Sequence, residues 1–411
     1  MHELFTQTKL TKKGVAKNSG FLDWNTQPTR FKRYPEFSFR YTKETLGEYA
    51  WLLSLREITD THLIAKKPYH RLNTPSAGNL HPIEIYLQIR NIKGILSGIY
   101  HLDVAHQELV LIRDIEKDGI ESYVGIENRF RGILIVTSLV PFRSFWKYGL
   151  RSWRYLYLDA GHQMATMYAL LQSHKQSPTI LSDFDSKALN DLMGFEDKEF
   201  TCKVIALGTS SEKPVETISS PLMHVLPTDY SEPMEILNAQ LASESKISNT
   251  VIAMPECIRM DLIPSLMRSR RSAREFSSLS LQKAQIEQFM NIFNQSDSIQ
   301  ATVIMMRGED YESGIYKENQ LVRRGFFTSE CSDLLVGQRF ISFAALVVAL
   351  HVKLPDNRAH IEAGIVSQWI YLFAQDNGIG CSGIGAYYDD ALRSFLDIDD
   401  EIVYVIALGA Q

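Results

Sequence analysis

Leu158-Asp159-Ala160-Gly161 and Ile361-Glu362-Ala363-Gly364 are two copies of one phrase, 203 positions apart. The same offset aligns Tyr168 with Tyr371, Gln172 with Gln375, and Ala188-Leu189 with Ala391-Leu392. Ser97-Gly98-Ile99-Tyr100 returns as Ser313-Gly314-Ile315-Tyr316, and Val204-Ile205-Ala206-Leu207-Gly208 returns as Val405-Ile406-Ala407-Leu408-Gly409. A period of about 200 residues indicates a duplicated domain, because solenoid repeats run to about 20–50 residues. Duplication followed by fusion usually keeps the ancestral dimer interface. The expectation is therefore an α+β fold of two tandem domains paired as an intrachain pseudo-dimer. Residues 1–215 make the first domain and 251–411 the second. Residues 216–250 read as a linker, because Ser, Thr, Glu and Pro become frequent there and apolar periodicity fades.

Bulk composition agrees. The 411 residues suffice for two or three domains. Hydrophobic content of 45% with 22% charged residues fits a soluble globular chain. A net charge of −5 and the lack of a long basic run leave no footprint for nucleic acid. Cys202, Cys257, Cys331 and Cys381 lie far apart with no CxxC pair, which argues against a zinc site or a disulfide framework. No metal site is expected. The N-terminus lacks an apolar signal core, and the Ile341–Val352 run is too short to span a bilayer. A cytoplasmic protein without membrane contact is the expectation.

Periodicity places the elements. Leu46, Tyr49, Ala50 and Leu53 predict a helix within Thr42–Leu55. Gly98–Leu102 and Glu108–Ile112 read as a hairpin, Gly132–Thr137 as a central strand, Arg151–Ser173 as a long helix and Lys203–Gly208 as a last strand. The basic segment Gln27–Pro35 reads as a solvated arm.

Four stretches could carry chemistry. Arg71-Leu72-Asn73-Thr74-Pro75-Ser76-Ala77-Gly78-Asn79-Leu80-His81-Pro82-Ile83-Glu84 is a tight turn feeding a strand, able to offer backbone N–H groups and an amide to a flat ligand. Arg270-Arg271-Ser272-Ala273-Arg274 suits a phosphate, or is a basic helix entry on the surface. Gly378-x-Gly380-x-x-Gly383 matches the dinucleotide fingerprint in form only, since a helical pattern at 363–377 precedes it where a strand is required. It reads as a glycine-rich loop. Phe145–Tyr155 is either a packed helix start with cation–π contacts or a Lys147-Tyr148 acid–base pair. P-loop, HExxH and GxSxG patterns are missing. The losses in the two halves are complementary. Only the first half has the Pro75–Asn79 turn, and only the second has the RRSxR and glycine-rich stretches. One complete site built from both halves is therefore expected.

Pro75-Ser76-Ala77-Gly78-Asn79-Leu80-His81-Pro82, Gly98-Ile99-Tyr100-His101, and Lys147-Tyr148-Gly149-x-Arg151-x-x-Arg154-Tyr155 with Asp159-Ala160-Gly161-His162 resemble the SagB/ThcOx-type azoline dehydrogenases. These belong to the nitroreductase-like FMN superfamily, here in tandem form. The resemblance implies an α+β sandwich and a bound FMN. It places Arg270, Ser272 and Arg274 on the phosphate and ribityl chain, and Pro75, Ser76 and Asn79 along the isoalloxazine. Gly383, Ile384 and Gly385 would approach the ring by their backbone. Lys147 and Tyr148 match the catalytic pair, which implies dehydrogenation of a thiazoline or oxazoline, small or borne on a modified peptide, with hydride passing to flavin. In that family a basic residue after the last strand also meets the phosphate; with Gly409-Ala410-Gln411 at that place, the contact is expected to be absent or to come from elsewhere. Two other readings use the same residues: an NAD(P)H-dependent nitro or quinone reductase, and a non-catalytic flavin- or partner-binding module. A homodimer of the fused chain is one open form of self-assembly, which the sequence does not decide.

Overall fold

The computed structural model describes residues 2–17, 22–64, 67–181, 184–228, 253–294, 296 and 298–411. The chain divides into two compact units. One holds Trp24–Ala160 and Thr166–Val251, and the other holds Met1–Asp23, Gly161–Ala165 and Ile252–Gln411.

The first of these is built on a seven-stranded sheet. Its order is Arg40–Tyr41, Glu108–Asp114, Gly98–Asp103, Ile83–Arg90, Asn128–Leu139, Phe200–Pro214, Thr179–Leu181. The expected hairpin is present, and the expected central strand lies antiparallel to both neighbours. Alternation at period two sends Ile85, Leu87, Ile89, Ile133 and Ile135 into one core and Tyr86, Leu134, Val136 and Val204 into another. The sheet is thus covered on both faces, which is why Ile83–Arg90 is buried at every position. The helix expected over Thr42–Leu55 is α-helical only at Lys43–Leu46 and continues as 3-10 helix over Gly47–Leu55. Gly47 takes φ +53°, which breaks the α ladder while Leu46, Leu52 and Leu53 stay buried.

Gln27–Pro35 is not a solvated arm. Lys32 and Tyr34 are buried while Arg33 is exposed, so the segment alternates as if laid along the sheet. The buried ammonium is matched by Glu199, whose Oε2 accepts from Lys32 Nζ at 2.8 Å. Within the expected 216–250 linker, Glu216–Thr217 pairs with Asp118–Gly119, and Ile218 and Leu222 join the core. Residues 229–250 lie outside the described residues.

The other unit carries a six-stranded sheet ordered Gln320–Arg324, Gly314–Lys317, Gln300–Met305, Leu346–Val352, Glu401–Ala410, Ile379–Ile384. This is the same order as in the larger sheet without its Arg40–Tyr41 edge. The repeated phrases fall on equivalent elements: Gly98 and Gly314 open equivalent strands, and Asp159 and Glu362 lie on the long helices Ser152–Ser173 and Asn357–Asp376.

The glycine-rich stretch is a strand, Ile379–Ile384, and not a loop. Its glycines make room inside the sheet. A Cβ on Gly380 would meet the Phe276 ring at 3.0 Å, and one on Gly383 would meet the Tyr404 hydroxyl at 1.9 Å. In the same unit a Cβ on Gly161 would lie 2.1 Å from the Ile361 carbonyl oxygen and 2.9 Å from the Gly364 Cα. Backbone cannot yield as a side-chain tip can. Gly161→Ala is expected to cost about 1–3 kcal/mol by overpacking, against the gain of about 1 kcal/mol that alanine brings to a helix interior. The urea midpoint reads the sign. Among the described residues no helix is long and apolar enough to cross a membrane, and no group of His, Cys, Asp and Glu could hold a metal ion.

Candidate functional site

The Pro75–Pro82 turn is held from within. Gly78 (φ +62°), Asn79 (φ +60°) and His81 (φ +52°) all take left-handed backbone, so the chain folds back twice before entering the strand at Ile83. Ser76 Oγ accepts from the His81 N–H at 2.9 Å and donates to Asp159 Oδ2 at 2.6 Å. The Ala77 N–H donates to Asp159 Oδ1 at 3.1 Å. Asn79 Nδ2 donates to the His70 carbonyl at 2.8 Å, and its Oδ1 accepts from His81 Nε2 at 2.9 Å. The polar atoms of Ser76 and Asn79 are therefore engaged in shaping the turn.

Lys147 and Tyr148 end the helix Pro141–Tyr148, which Gly149 terminates with φ +52°. The Lys147 ammonium lies 5.4 Å from the Trp24 ring and 5.3 Å from the Tyr148 ring, and Tyr148 meets Tyr155 edge-on at 4.7 Å. A Cβ on Gly78 would stand 2.5 Å from the Tyr148 hydroxyl and 3.2 Å from Lys147 Nζ. The turn and the Lys-Tyr pair, far apart in sequence, thus form one cluster.

Arg143, one helical turn before Lys147, fixes that helix from inside the protein. It donates to Glu84 Oε1 at 2.6 Å and to the carbonyls of His81, Thr29 and Pro227 at 3.0, 3.0 and 2.8 Å. Burial alone would raise the Glu84 pKa, but Arg143, the His101 hydrogen bond and Arg56 outweigh it and hold the carboxyl far below its usual range. Asp159 goes the other way. Burial pushes its pKa up to about 7, against the bonds from Ser76 and Ala77 and the charge of Arg56. An acid raised in the folded state favours folding below its ordinary pKa of 3.8, and that contribution is lost as pH rises toward about 7. Asp159→Asn is expected to flatten this part of the stability–pH curve, read by thermal melts across that interval.

The second set sits in the other unit. Arg270 follows the helix Ile263–Ser269, is buried, and holds its guanidinium 5.1 Å from the Tyr371 ring. Burial lowers its pKa. Tyr371 Oη meets Ser272 Oγ at 2.9 Å and accepts from the Gly383 N–H at 2.7 Å. Tyr371 therefore joins Arg270, Ser272 and Gly383. Arg274 is exposed, Ile384 is buried in the core, and Gly385 is half-buried just past the strand. His162 completes the cluster: Nδ1 donates to Gln368 Oε1 at 3.0 Å, and burial lowers its pKa to about 3, keeping the ring neutral.

Sequence reading alone missed the parts played by Tyr371, Arg143, Glu84 and Trp24. Tyr371 carried one signal, its place in the repeat opposite Tyr168. The donor sets fit FMN in kind. A buried guanidinium beside a hydroxyl suits a phosphate, and the missing Cβ of Gly78 lets the turn close on Lys147 and Tyr148.

The profile of the nitroreductase family matches residues 42–209 and 330–410. A Methanocaldococcus jannaschii protein named "putative nitroreductase" is 23% identical over 141 residues, covering 34% of this chain and 70% of that protein. The crystal structure of an Anabaena variabilis protein, also titled "putative nitroreductase", overlays with TM-score 0.81 at 20% identity, covering 100% of this chain and 99% of that one. An FMN-dependent nitroreductase of Mycobacterium smegmatis, solved with NADPH, overlays on 35% of this chain and 85% of its own at TM-score 0.26 and 15% identity, too slight a likeness to carry an argument. With more than half of its residues matched by the family profile, the chain belongs to the nitroreductase family.

Proposed function

We propose that the chain is an FMN-dependent oxidoreductase that dehydrogenates an azoline-like heterocycle, small or borne on a peptide. The observation that carries this reading is the close fit of Gly78 beneath the Tyr148 hydroxyl and the Lys147 ammonium, which joins the turn to the acid–base pair. In this reading Arg270, Ser272 and Arg274 hold the FMN phosphate and ribityl chain. Pro75, Ser76 and Asn79 are assigned to the ring, as is the backbone of Gly383, Ile384 and Gly385. Bound FMN supplies the two-electron oxidant. Lys147 and Tyr148 hold and move the proton that leaves substrate carbon. The neighbouring Trp24 and Tyr155 rings pack against that pair.

The family name favours a second reading at the same site, an NAD(P)H-dependent reductase of nitro or quinone compounds. It needs the flavin set without the Lys-Tyr pair. The purified chain is expected to release about one FMN on denaturation, because the two halves contribute complementary sets. A release of about two would end that argument, and no flavin after reconstitution would favour a non-catalytic module. Anaerobic mixing then separates the two enzyme readings. Bleaching of the flavin by a thiazoline carboxamide supports the first, and bleaching by NADPH alone supports the second.

A further inference from the structure

Asp159 lies on the long helix Ser152–Ser173, away from the Lys-Tyr helix, yet both of its carboxyl oxygens grip the Ser76–Ala77 segment. The residue after Ala77 is Gly78, whose missing Cβ leaves room for the Tyr148 hydroxyl and Lys147 Nζ. A change at Asp159 thus reaches the surface against which the pair rests through one hydrogen bond and one peptide link. A small cavity of about 10 Å³, lined by Arg56, His81, Ser76 and Asp159, lies behind the turn. It is near the size of one water, so the turn has a little room to move and no more.

The other half carries the same device. Glu362, the repeat partner of Asp159, accepts from the Ser298 hydroxyl. Ser298 precedes Gln300–Met305, the strand equivalent to the Ile83–Arg90 strand that follows Ser76. In that half Arg358 also donates to Glu362, at 2.7 Å. No Lys-Tyr pair stands at the corresponding place. Helix acid to turn hydroxyl is therefore a feature of the duplicated unit, and in the first half it faces the acid–base pair.

We propose that Asp159 is a positioning residue for Lys147 and Tyr148, acting through Ser76 and Ala77 on the turn that closes against them. The inference rests on the reading of Lys147 and Tyr148 as the acid–base pair. The carboxylate accepts two hydrogen bonds and draws the turn in. A proton on Oδ2 competes with the Ser76 hydroxyl proton for the same 2.6 Å contact, and when it donates to Ser76 Oγ that oxygen accepts it beside the His81 N–H. The Ser76 proton then loses its acceptor and the turn relaxes. The charged and titratable groups facing Asp159 are Arg56, which favours the charged form, and His81 across the cavity, which burial keeps neutral.

The test reads Lys147 directly and does not depend on turnover. Lysines of the full-length chain are reductively methylated with ¹³C, and the Lys147 resonance is assigned by its loss in Lys147→Arg. Its shift is expected to show an inflection near neutral pH in the wild-type chain, far below lysine's own titration at about 10.4. Asp159→Asn and Ser76→Ala are each expected to remove it, the double variant to add nothing, and Glu362→Gln to leave it in place. In parallel, Asp159→Asn is expected to lower kcat on the thiazoline probe about tenfold to a hundredfold with little change in KM, the effect of a small misplacement of reacting groups. An unchanged resonance and pH profile in both Asp159→Asn and Ser76→Ala overturns the proposal. If instead Lys147→Ala turns over normally while the inflection behaves as expected, the acid–base reading fails and the clamp stands.

Discussion

Lys147→Ala is expected to lower kcat on an azoline substrate by about a hundredfold or more, the usual scale for losing a positioned proton-transfer group. The side chain sits between the Trp24 and Tyr148 rings with its nitrogen near the Gly78 backbone, so truncation removes a cation from a cluster that otherwise keeps its shape. Tyr148→Phe separates packing from chemistry. It keeps the edge-on contact with Tyr155 and removes only the hydroxyl. If the two side chains act as a unit, the double variant is no slower than the slower single one. Lys147→Arg is not expected to rescue, because a planar fork does not occupy the place of a compact ammonium. FMN content should hold in all four variants, since the cationic set assigned to the phosphate is elsewhere in the chain. Steady-state rates with a thiazoline probe and a nitroaromatic probe check this. Normal turnover of both by Lys147→Ala would remove the pair from the mechanism.

Much of the fold could be read in the sequence because its signals were repeated. Gly98–Tyr100 and Gly314–Tyr316, or Val204–Gly208 and Val405–Gly409, each mark one strand twice, and the two sheets keep the same order. What misled were residues whose meaning depends on contacts distant in sequence. Glycines at 380 and 383 look like a loop, yet Phe276 and Tyr404 fill the space their missing side chains leave inside a strand. The α-helix predicted after Thr42 gives way at Gly47, where one left-handed residue outweighs the apolar spacing. The site was legible as motifs but not as a cluster. Nothing in local sequence brings Gly78 to Tyr148, or Asp159 to Ser76, and Tyr371 has no motif that announces its bonds to Ser272 and Gly383.

The basic segment Gln27–Pro35 shows the same limit most sharply, and the largest stability effect is expected there. Charge runs usually face water, but Lys32 finds hydrogen-bond partners and a counter-charge inside the protein. Its Nζ donates to Glu199 Oε2 and to the Tyr86 hydroxyl, both at 2.8 Å, while Glu199 Oε1 accepts from Tyr86 at 2.7 Å and from Ser138 at 2.5 Å. Both charged side chains are fully buried. Glu199→Ala leaves the ammonium in the core without its counter-charge and strands two hydroxyl donors. A loss of about 3–5 kcal/mol is expected, a large share of the roughly 5–15 kcal/mol that holds a typical protein folded. Glu199→Gln keeps an acceptor and should cost less. Replacing both partners, Lys32→Met with Glu199→Met, removes the unpaired charge and should recover part of the loss. Full recovery is not expected, because Tyr86 and Ser138 still lose the oxygen they donate to. Urea midpoints for the four chains give the ranking. A double variant no more stable than Glu199→Ala would mean that the unpaired ammonium is not what destabilises that chain, contrary to the expectation for an uncompensated buried charge.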